Sequence, residues 1–312
     1  MHWKLKANIQ NTVSLLPSSA SYATYYWIQR YFGGLRRIDP VGSLAAGIET
    51  WKRIRDLGYN PSAKVFFEVG TGRVPLMPLA YWLMGAEQTI SIDLNPYVKT
   101  ELISESLRYI SDNKEEIQGL FGSLLNKKRF DVLLQFSKSD HCPLRAFLDL
   151  CSIHYLAPGD AAQTALSPGS IDFHTSYMVL EHIPSETVKR ILEEGNRIIR
   201  DGGLFAHRID YSDHFSHSDN DISAINFLQY SDDKWNRYAG NRYMYMNRLR
   251  HDDFIRLFQS VGHCLLEVRT DIDPQSQEIL SRGSLQLADR FKAKTGAVLS
   301  ITSSWIMSKK SS

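Results

Sequence analysis

Two stretches in the second half of this 312-residue sequence concentrate side chains that can move protons. His182 follows one apolar run, and His207, Asp210, Asp213 and His214 lie at and after the next. Histidine titrates closest to neutral pH, so it is the side chain best suited to take a proton from a reacting hydroxyl. We predict that His182, His207, His214 and Asp210 are the catalytic candidates.

Each candidate also has a plainer interpretation. His182 can line a pocket, and His207 can be a hydrogen-bonded histidine of the core. Asp210, Asp213 and His214 could bind a divalent ion that lowers the pKa of an acceptor hydroxyl, pair a base with its orienting carboxylate, or simply form a polar loop. The sequence alone therefore assigns no metal ligand.

An apolar run that ends in an acid and a glycine turn is the other chemically distinctive stretch. Residues 65–73 read VFFEVGTGR, which predicts a strand, a tight turn and the start of a helix. A second apolar run ends at Asp93, the spacing at which a carboxylate accepts hydrogen bonds from a ribose diol. These features indicate a nucleoside cofactor. Val74 and Pro75 stand where a dinucleotide site would need a third glycine, which disfavours NAD and FAD.

Five segments resemble, in chain order, the motifs of class I S-adenosylmethionine-dependent methyltransferases. They are the glycine turn with Glu68, the acid Asp93, the run 159–161 (GDA), the run 170–184 (SIDFHTSYMVLEHIP) and the turn 200–205 (RDGGLF). The resemblance covers roughly residues 60–210 and implies S-adenosylmethionine as the cofactor. It also implies the following cofactor contacts: Glu68, Gly70, Thr71 and Gly72 at the methionine end, Asp93 and Leu94 at the ribose, and Asp160 and Ala161 at the adenine.

The resemblance implies an α/β, Rossmann-like fold with a seven-stranded, mostly parallel sheet and helices on both faces. We expect strands at about 64–69, 88–93, 152–156, 171–177, 204–209, 262–270 and 298–307, with a polar helix over 274–294. The last two strands would form a hairpin that inserts an antiparallel edge strand beside strand five. Residues 1–60 are predicted to form an N-terminal helical cap and residues 61–312 the methyltransferase domain. That domain would carry a helical insertion at about 111–151 and a substrate lid, inserted after strand five, at about 211–250.

The predicted lid is rich in aromatic, arginine and asparagine residues. Flat aromatic faces and planar guanidinium groups suit a polar, polyhydroxylated or anionic acceptor. We predict substrate contacts from Arg208, Asp213, Trp235, Arg242 and Tyr245. A buried aromatic cluster that holds the insertion together would require the same composition.

Charge and cysteine content restrict the partners and the compartment. The 36 basic and 34 acidic residues nearly cancel, so nothing favours nucleic acid as a partner. Cys142, Cys151 and Cys264 show no CxxC pairing, so we expect neither a disulfide framework nor a zinc site, and the reducing cytoplasm is the default location. Residues 18–35 are aromatic with basic flanks, which suits either a peripheral membrane contact or a helical cap or dimer contact.

The function predicted from these patterns is methyl transfer from S-adenosylmethionine to an oxygen of a small-molecule, sugar or glycan acceptor. A histidine base would take the proton, with metal assistance as an option. Two alternatives stay open: an NAD-dependent oxidoreductase, and a non-catalytic scaffold that binds an adenosine cofactor or attaches to a membrane. The sequence leaves open whether the chain forms a homo-oligomer.

Overall fold

The computed structural model describes residues 1–138 and 143–311, and a single sheet organises this part of the chain. Its seven strands are β1 (Val65–Val69), β2 (Gln88–Ile92), β3 (Ile153–Leu156), β4 (Ile171–Tyr177), β5 (Ile199–Asp210), β6 (His263–Ile272) and β7 (Ile301–Lys310). Their order is β3-β2-β1-β4-β5-β7-β6, with parallel pairing of β1 to β2 and β4 and of β2 to β3. The predicted seven-stranded α/β fold is thus confirmed, and β7 lies beside β5.

Along the chain, helices connect most of the consecutive strands, as expected for crossover connections between parallel strands. The described chain contains α1 (Trp3–Ser14), α2 (Ser18–Phe32), α3 (Val41–Asp56), α4 (Leu76–Leu83), α5 (Thr100–Asp112), α6 (Lys114–Phe121), α7 (Lys127–Phe136), α8 (Leu144–Leu150), α9 (Ser185–Ile198), α10 (Asp232–Ala239), α11 (His251–Ser260), α12 (Pro274–Ser281), α13 (Asp289–Lys292) and α14 (Gly296–Leu299). A run of three short helices, α6 to α8, occupies the region predicted as a helical insertion.

Two predicted boundaries were wrong. Strand β5 begins at Ile199, not at 204, so the residues predicted to form a turn at 200–205 belong to the strand. Gly203 permits this, because a Cβ there would lie 2.8 Å from the backbone oxygen of Asp172 on β4. The helix predicted over 274–294 is two separate pieces, since Gly283 adopts a φ of +63° directly after α12 and ends it.

The chain forms two compact units. One unit consists of Met1–Arg36, Met178–Lys189 and Arg208–Ile306, and the other of Arg37–Tyr177, Arg190–His207 and Met307–Ser312. The predicted division at residue 60 and the predicted lid remain proposals about domain organisation. Cys142 lies outside the described residues, whereas Cys151 is buried and Cys264 exposed.

Aromatic side chains form much of the core of each unit. In the second, Phe66 of β1 stacks on Tyr81 at 4.4 Å between ring centroids and on Trp51 at 5.7 Å. In the first, Trp3 and Trp235 belong to one buried apolar cluster, which the ring contacts of Trp3 extend through Phe215 and Tyr230. None of the helices within 1–138 and 143–311 has the length and apolar character needed to cross a bilayer.

Candidate active site

The glycine turn after β1 folds back onto the end of β2. Gly70 and Gly72 have φ values of 91° and 69°, left-handed conformations that side-chain-bearing residues seldom adopt. The Gly70 amide donates to the carbonyl oxygen of Ile92 at 2.9 Å, and the Gly72 amide donates to Asp93 Oδ2 at 3.1 Å. The turn therefore fixes the predicted ribose carboxylate beside the predicted methionine end.

Asp93 is half-buried and keeps capacity for a ligand. Its Oδ1 accepts a hydrogen bond from the Asn95 amide at 3.2 Å, so each carboxylate oxygen accepts one bond from the turn and can accept another. Burial raises the pKa of Asp93, against the lowering effect of the backbone hydrogen bonds. Leu94 follows with 69 % of its surface exposed, which leaves an apolar face open beside the carboxylate.

Glu68 anchors a short chain of hydrogen bonds beneath the turn. Ser91 Oγ donates to Glu68 Oε2 at 2.6 Å, and Thr71 Oγ1 lies 2.7 Å from Ser91 Oγ. Burial raises the pKa of Glu68 to about 8, the Ser91 hydrogen bond opposes this shift and the Asp93 charge adds to it. A cavity of about 290 Å³ is lined by Gly42, Ser43, Ala46, Glu68, Gly70, Thr71, Val74, Met77 and Tyr177. These residues fit the methionine end of the cofactor.

The predicted adenine residues follow β3 in a tight loop. Asp160 is exposed and its Oδ1 accepts a hydrogen bond from the Ala162 amide at 2.8 Å, while Ala161 is buried. Gly159 lies so close to β2 that a Cβ would come within 2.8 Å of the Ile92 side chain. The loop is therefore packed against the end of β2, and the Gly159 amide donates to the carbonyl oxygen of Asp93 at 2.9 Å.

A second set of polar side chains follows β4 and β5. Glu181 and His182 lie on a short 3-10 turn after β4, and one donor atom from each comes within 4.8 Å of a donor atom of His214. The rings of His182 and His214 are 4.8 Å apart at an angle of 62°. Glu181 is 2 % exposed, and burial raises the pKa of its carboxyl well above the ordinary value.

Asp210, at the end of β5, pairs with the histidines of the following loop. Its Oδ2 lies 3.2 Å from His214 Nε2 and 3.8 Å from His217 Nε2, and the latter nitrogen is 2.9 Å from Ser212 Oγ. Burial acts to raise the pKa of Asp210. The hydrogen bond and charge of His214, together with hydrogen bonds from Ser212, outweigh the effect of burial, so the pKa is lowered. Asp210 is therefore ionised at neutral pH and able to orient His214.

Residues that the sequence reasoning did not select hold the Glu181 turn in place. The side-chain amide of Asn247 donates to the carbonyl oxygens of Leu180 and Ile183, both at 2.9 Å, and its backbone amide donates to the Glu181 carbonyl at 2.8 Å. Composition could not single out Asn247 among the asparagines of this region. Asn247 thus fixes the turn through three hydrogen bonds.

His182 is oriented by the predicted substrate residue Tyr245. The Nδ1 atom of His182 lies 2.9 Å from the Tyr245 carbonyl oxygen, so the ring donates from Nδ1 and leaves the Nε2 lone pair available. The residue is exposed, but protein atoms around its ring, followed by the charge of His214, lower the pKa of His182 to about 4. Tyr245 contacts the cluster through its backbone.

His207 belongs to the core of the second unit. It is fully buried in β5, its Nδ1 is 2.7 Å from Ser176 Oγ, and its ring lies 5.2 Å from that of His174. A histidine enclosed in this way has no surface to offer an acceptor. The core interpretation of His207 fits the structure better than the catalytic one.

Four of the predicted substrate residues have structural partners. Arg208 binds Asp271 and Ser303, and Trp235 is 1 % exposed within the aromatic cluster. Asp213 is fully buried and accepts hydrogen bonds from the Phe215 amide and Asn226 Nδ2, while Arg242 donates to Ser18 Oγ at 3.1 Å and lies over Tyr22. Burial raises the pKa of Asp213 to about 6, and its hydrogen bonds with Asn226 and Phe215 oppose that shift.

A cavity of about 310 Å³ opens beside Asp210 in the first unit. It is lined by Met178, Asp210, Ser212, Ser216, His217, Ala224, Asp273, Thr302 and Ser303. Hydroxyl, carboxylate and imidazole groups dominate this lining, which suits an acceptor that carries hydroxyl groups. Its volume accommodates only a small molecule or one end of a larger one.

Residues 145–207 match the family model described as "Methyltransferase domain". The strand order agrees with that match. The match favours a methyltransferase over the oxidoreductase and scaffold alternatives. No curated protein matches the sequence.

Several solved structures resemble the chain at low identity. A SAM-dependent methyltransferase from Methanosarcina mazei has a TM-score of 0.46 at 13 % identity, covering 83 % of this chain and 96 % of its own. An S-adenosylmethionine-dependent methyltransferase from Mesorhizobium loti has a TM-score of 0.41 at 12 % identity, covering 86 % of this chain and 100 % of its own. A geranyl diphosphate C-methyltransferase from Streptomyces coelicolor A3(2) has a TM-score of 0.45 at 9 % identity, covering 84 % of this chain and 80 % of its own.

Proposed function

We propose that this enzyme methylates a hydroxyl oxygen of a small-molecule or sugar-type acceptor. The observation that carries the proposal is the Asp210–His214 pair, 3.2 Å apart at the end of β5, beside a cavity lined by serine hydroxyls and His217. Ligands of parallel sheets bind beyond the carboxyl ends of the strands, and β4 and β5 both end in this polar set. A hydroxyl acceptor needs a group that takes its proton, whereas an already deprotonated acceptor does not.

Gly70, Thr71, Gly72, Asp93, Leu94, Asp160 and Ala161, with Glu68 beneath the turn, would hold the cofactor. When bound, S-adenosylmethionine supplies a methyl group on a cationic sulfur, and the acceptor oxygen bonds to that carbon as the carbon–sulfur bond breaks with its electron pair passing to sulfur. The contribution of the chain is to position the reactants and to remove the hydroxyl proton. His214 carries this second role, either as the base or as a ligand of a metal ion, and Asp210 orients it.

Cytoplasmic location, assembly into homo-oligomers and a peripheral membrane contact remain predictions that accompany this proposal. The exposed aromatic residues of α2 favour the membrane contact: Trp27, Tyr31 and Phe32 are 53 %, 61 % and 72 % exposed. Their rings contact one another, since Trp27 lies 5.2 Å from Tyr31 and 5.6 Å from Phe32.

The experiment is a screen with S-adenosylmethionine carrying a carbon-13 methyl group. The panel contains sugars, sugar nucleotides, phenols, amines, thiols and carboxylic acids, and NMR identifies the atom that receives the label. We expect methyl ethers from hydroxyl acceptors, and we expect Asp210→Asn to slow their formation. Label found on nitrogen, sulfur or carbon instead would contradict the proposal.

A further inference from the structure

The carboxyl group of Glu181 is buried without a hydrogen-bond partner. The Oε1 and Oε2 atoms have no hydrogen-bond partner of good geometry among the described residues, and the side chain is only 2 % exposed. Buried polar groups are almost always satisfied, and an unsatisfied pair of oxygens on a firmly held turn calls for an explanation. A cation bound to these oxygens would supply one.

Two imidazoles stand beside this carboxyl group. One donor atom each from Glu181, His182 and His214 fall within 4.8 Å of one another. An ion at about 2.1 Å from each of three donors holds them roughly 3–3.5 Å apart, so small side-chain rotations close the remaining distance. A carboxylate and two imidazoles leave positions open for water or a substrate.

The surroundings of both histidines match those of metal ligands. His182 donates its Nδ1 proton to the Tyr245 carbonyl oxygen and keeps Nε2 available, and His214 pairs with the Asp210 carboxylate. Ligating histidines commonly carry such a carbonyl or carboxylate partner, which fixes the ring and increases its basicity. Asn247 fixes the backbone on which Glu181 and His182 lie.

We propose that Glu181, His182 and His214 bind one divalent transition-metal ion, with Asp210 as the residue that orients His214. Two imidazole ligands favour zinc or iron over magnesium, which prefers oxygen ligands. This inference rests on the proposed function, because the open position would receive the acceptor hydroxyl. The ion would make that hydroxyl more acidic, and the released proton would pass to water.

The test is calorimetric titration of untagged, chelator-treated protein with zinc chloride, manganese chloride and magnesium chloride. We expect one transition ion per chain and weaker binding of magnesium. Glu181→Gln and His214→Asn should each weaken binding at least tenfold. His154→Asn serves as the matched control, because His154 is an exposed histidine on β3. S-adenosylhomocysteine binding, measured in every variant, shows that the fold is intact.

The outcomes separate the metal site from the proposed function. Absence of stoichiometric binding, or binding that survives both ligand substitutions, would overturn the metal site. O-methylation at full rate in chelator-treated enzyme would also overturn it, while leaving oxygen as the acceptor atom. Stoichiometric binding lost in Glu181→Gln and His214→Asn supports the site even if the screen places the methyl label on another element, an outcome that would contradict the proposed function alone.

Discussion

His214 Nε2 lies 3.2 Å from Asp210 Oδ2, and this pair links the last residue of β5 to the loop that follows it. Asp210 holds the imidazole in one orientation. Replacing Asp210 with asparagine preserves the shape but removes the charge. We expect Asp210→Asn to lower kcat for hydroxyl acceptors about 10- to 100-fold, with S-adenosylmethionine affinity unchanged.

Steady-state kinetics on an acceptor identified by the carbon-13 screen measures this effect. Asp233→Asn is the control, because Asp233 is an exposed carboxylate on α10. Equal turnover in the wild type and in Asp210→Asn would show that the pair does not serve catalysis.

Glu68 should make the stability of the protein depend on pH. Its pKa rises from 4.5 to about 8 on folding because the carboxyl is buried. The folded protein therefore holds a proton that the unfolded chain has lost between these two pKa values. The free energy of unfolding should fall by up to about 1.4 kcal/mol per pH unit in this window and level off above pH 8.

Glu68→Gln removes this contribution while its amide oxygen still accepts the Ser91 hydrogen bond. Urea denaturation of both proteins at pH 5.5, 6.5 and 7.5 measures it. We expect the variant to gain stability relative to the wild type as the pH rises. A difference that stays constant across the three pH values would show that Glu68 keeps its ordinary pKa.

Arg250 and Arg242 should differ sharply in their contribution to stability. Arg250 is fully buried and donates to the carbonyl oxygens of Tyr211, Leu299 and Ile301, whereas Arg242 is exposed. Arg250→Met leaves three carbonyl oxygens without their donor, and we expect it to lower the free energy of unfolding by about 3 kcal/mol. Arg242→Met should change it by less than about 0.5 kcal/mol. Chemical denaturation checks both, and equal effects would contradict the structural role of Arg250.

The aromatic face of α2 should bind anionic lipid. Trp27 and Phe32 are exposed, and Arg30, Arg36 and Arg37 supply positive charge nearby in the sequence. We expect the protein to sediment with phosphatidylglycerol vesicles and much less with phosphatidylcholine vesicles. Trp27→Ala combined with Phe32→Ala should abolish this, whereas Leu5→Ala, at an exposed apolar residue of α1, should not. Failure of the wild type to sediment would leave α2 without a membrane role.

Local signals in the sequence were sufficient to predict the elements that carry the predicted cofactor residues between 65 and 93. The strand, glycine turn and acid at 65–93 are short-range features, so their pattern predicts β1, β2 and the place of Asp93. The cluster of Glu181, His182 and His214, by contrast, depends on contacts between distant segments of the chain. Glu181 and His214 meet only through the packing of the first unit, and no local pattern marks Glu181 as a carboxyl group without a hydrogen-bond partner.

Composition could not show that two of the predicted substrate residues are buried. Trp235 and Asp213 have the chemistry of ligand contacts but are buried by the insertion's own aromatic cluster and by Phe215 and Asn226. Burial depends on the complete fold and leaves no signature in residue type alone. The alternative stated for this insertion, an aromatic cluster that holds it together, describes Trp235 correctly.

The most direct test of the account is calorimetric titration of the protein with S-adenosylmethionine, S-adenosylhomocysteine and NADH. Asp93→Ala is the test variant, and Asp131→Ala, an exposed acid on α7, is the control. We expect the first two ligands to bind with micromolar affinity, to lose at least tenfold in Asp93→Ala and to bind Asp131→Ala normally, while NADH does not bind. Binding of NADH alone, or no binding of S-adenosylmethionine, would contradict the assignment of the cofactor site.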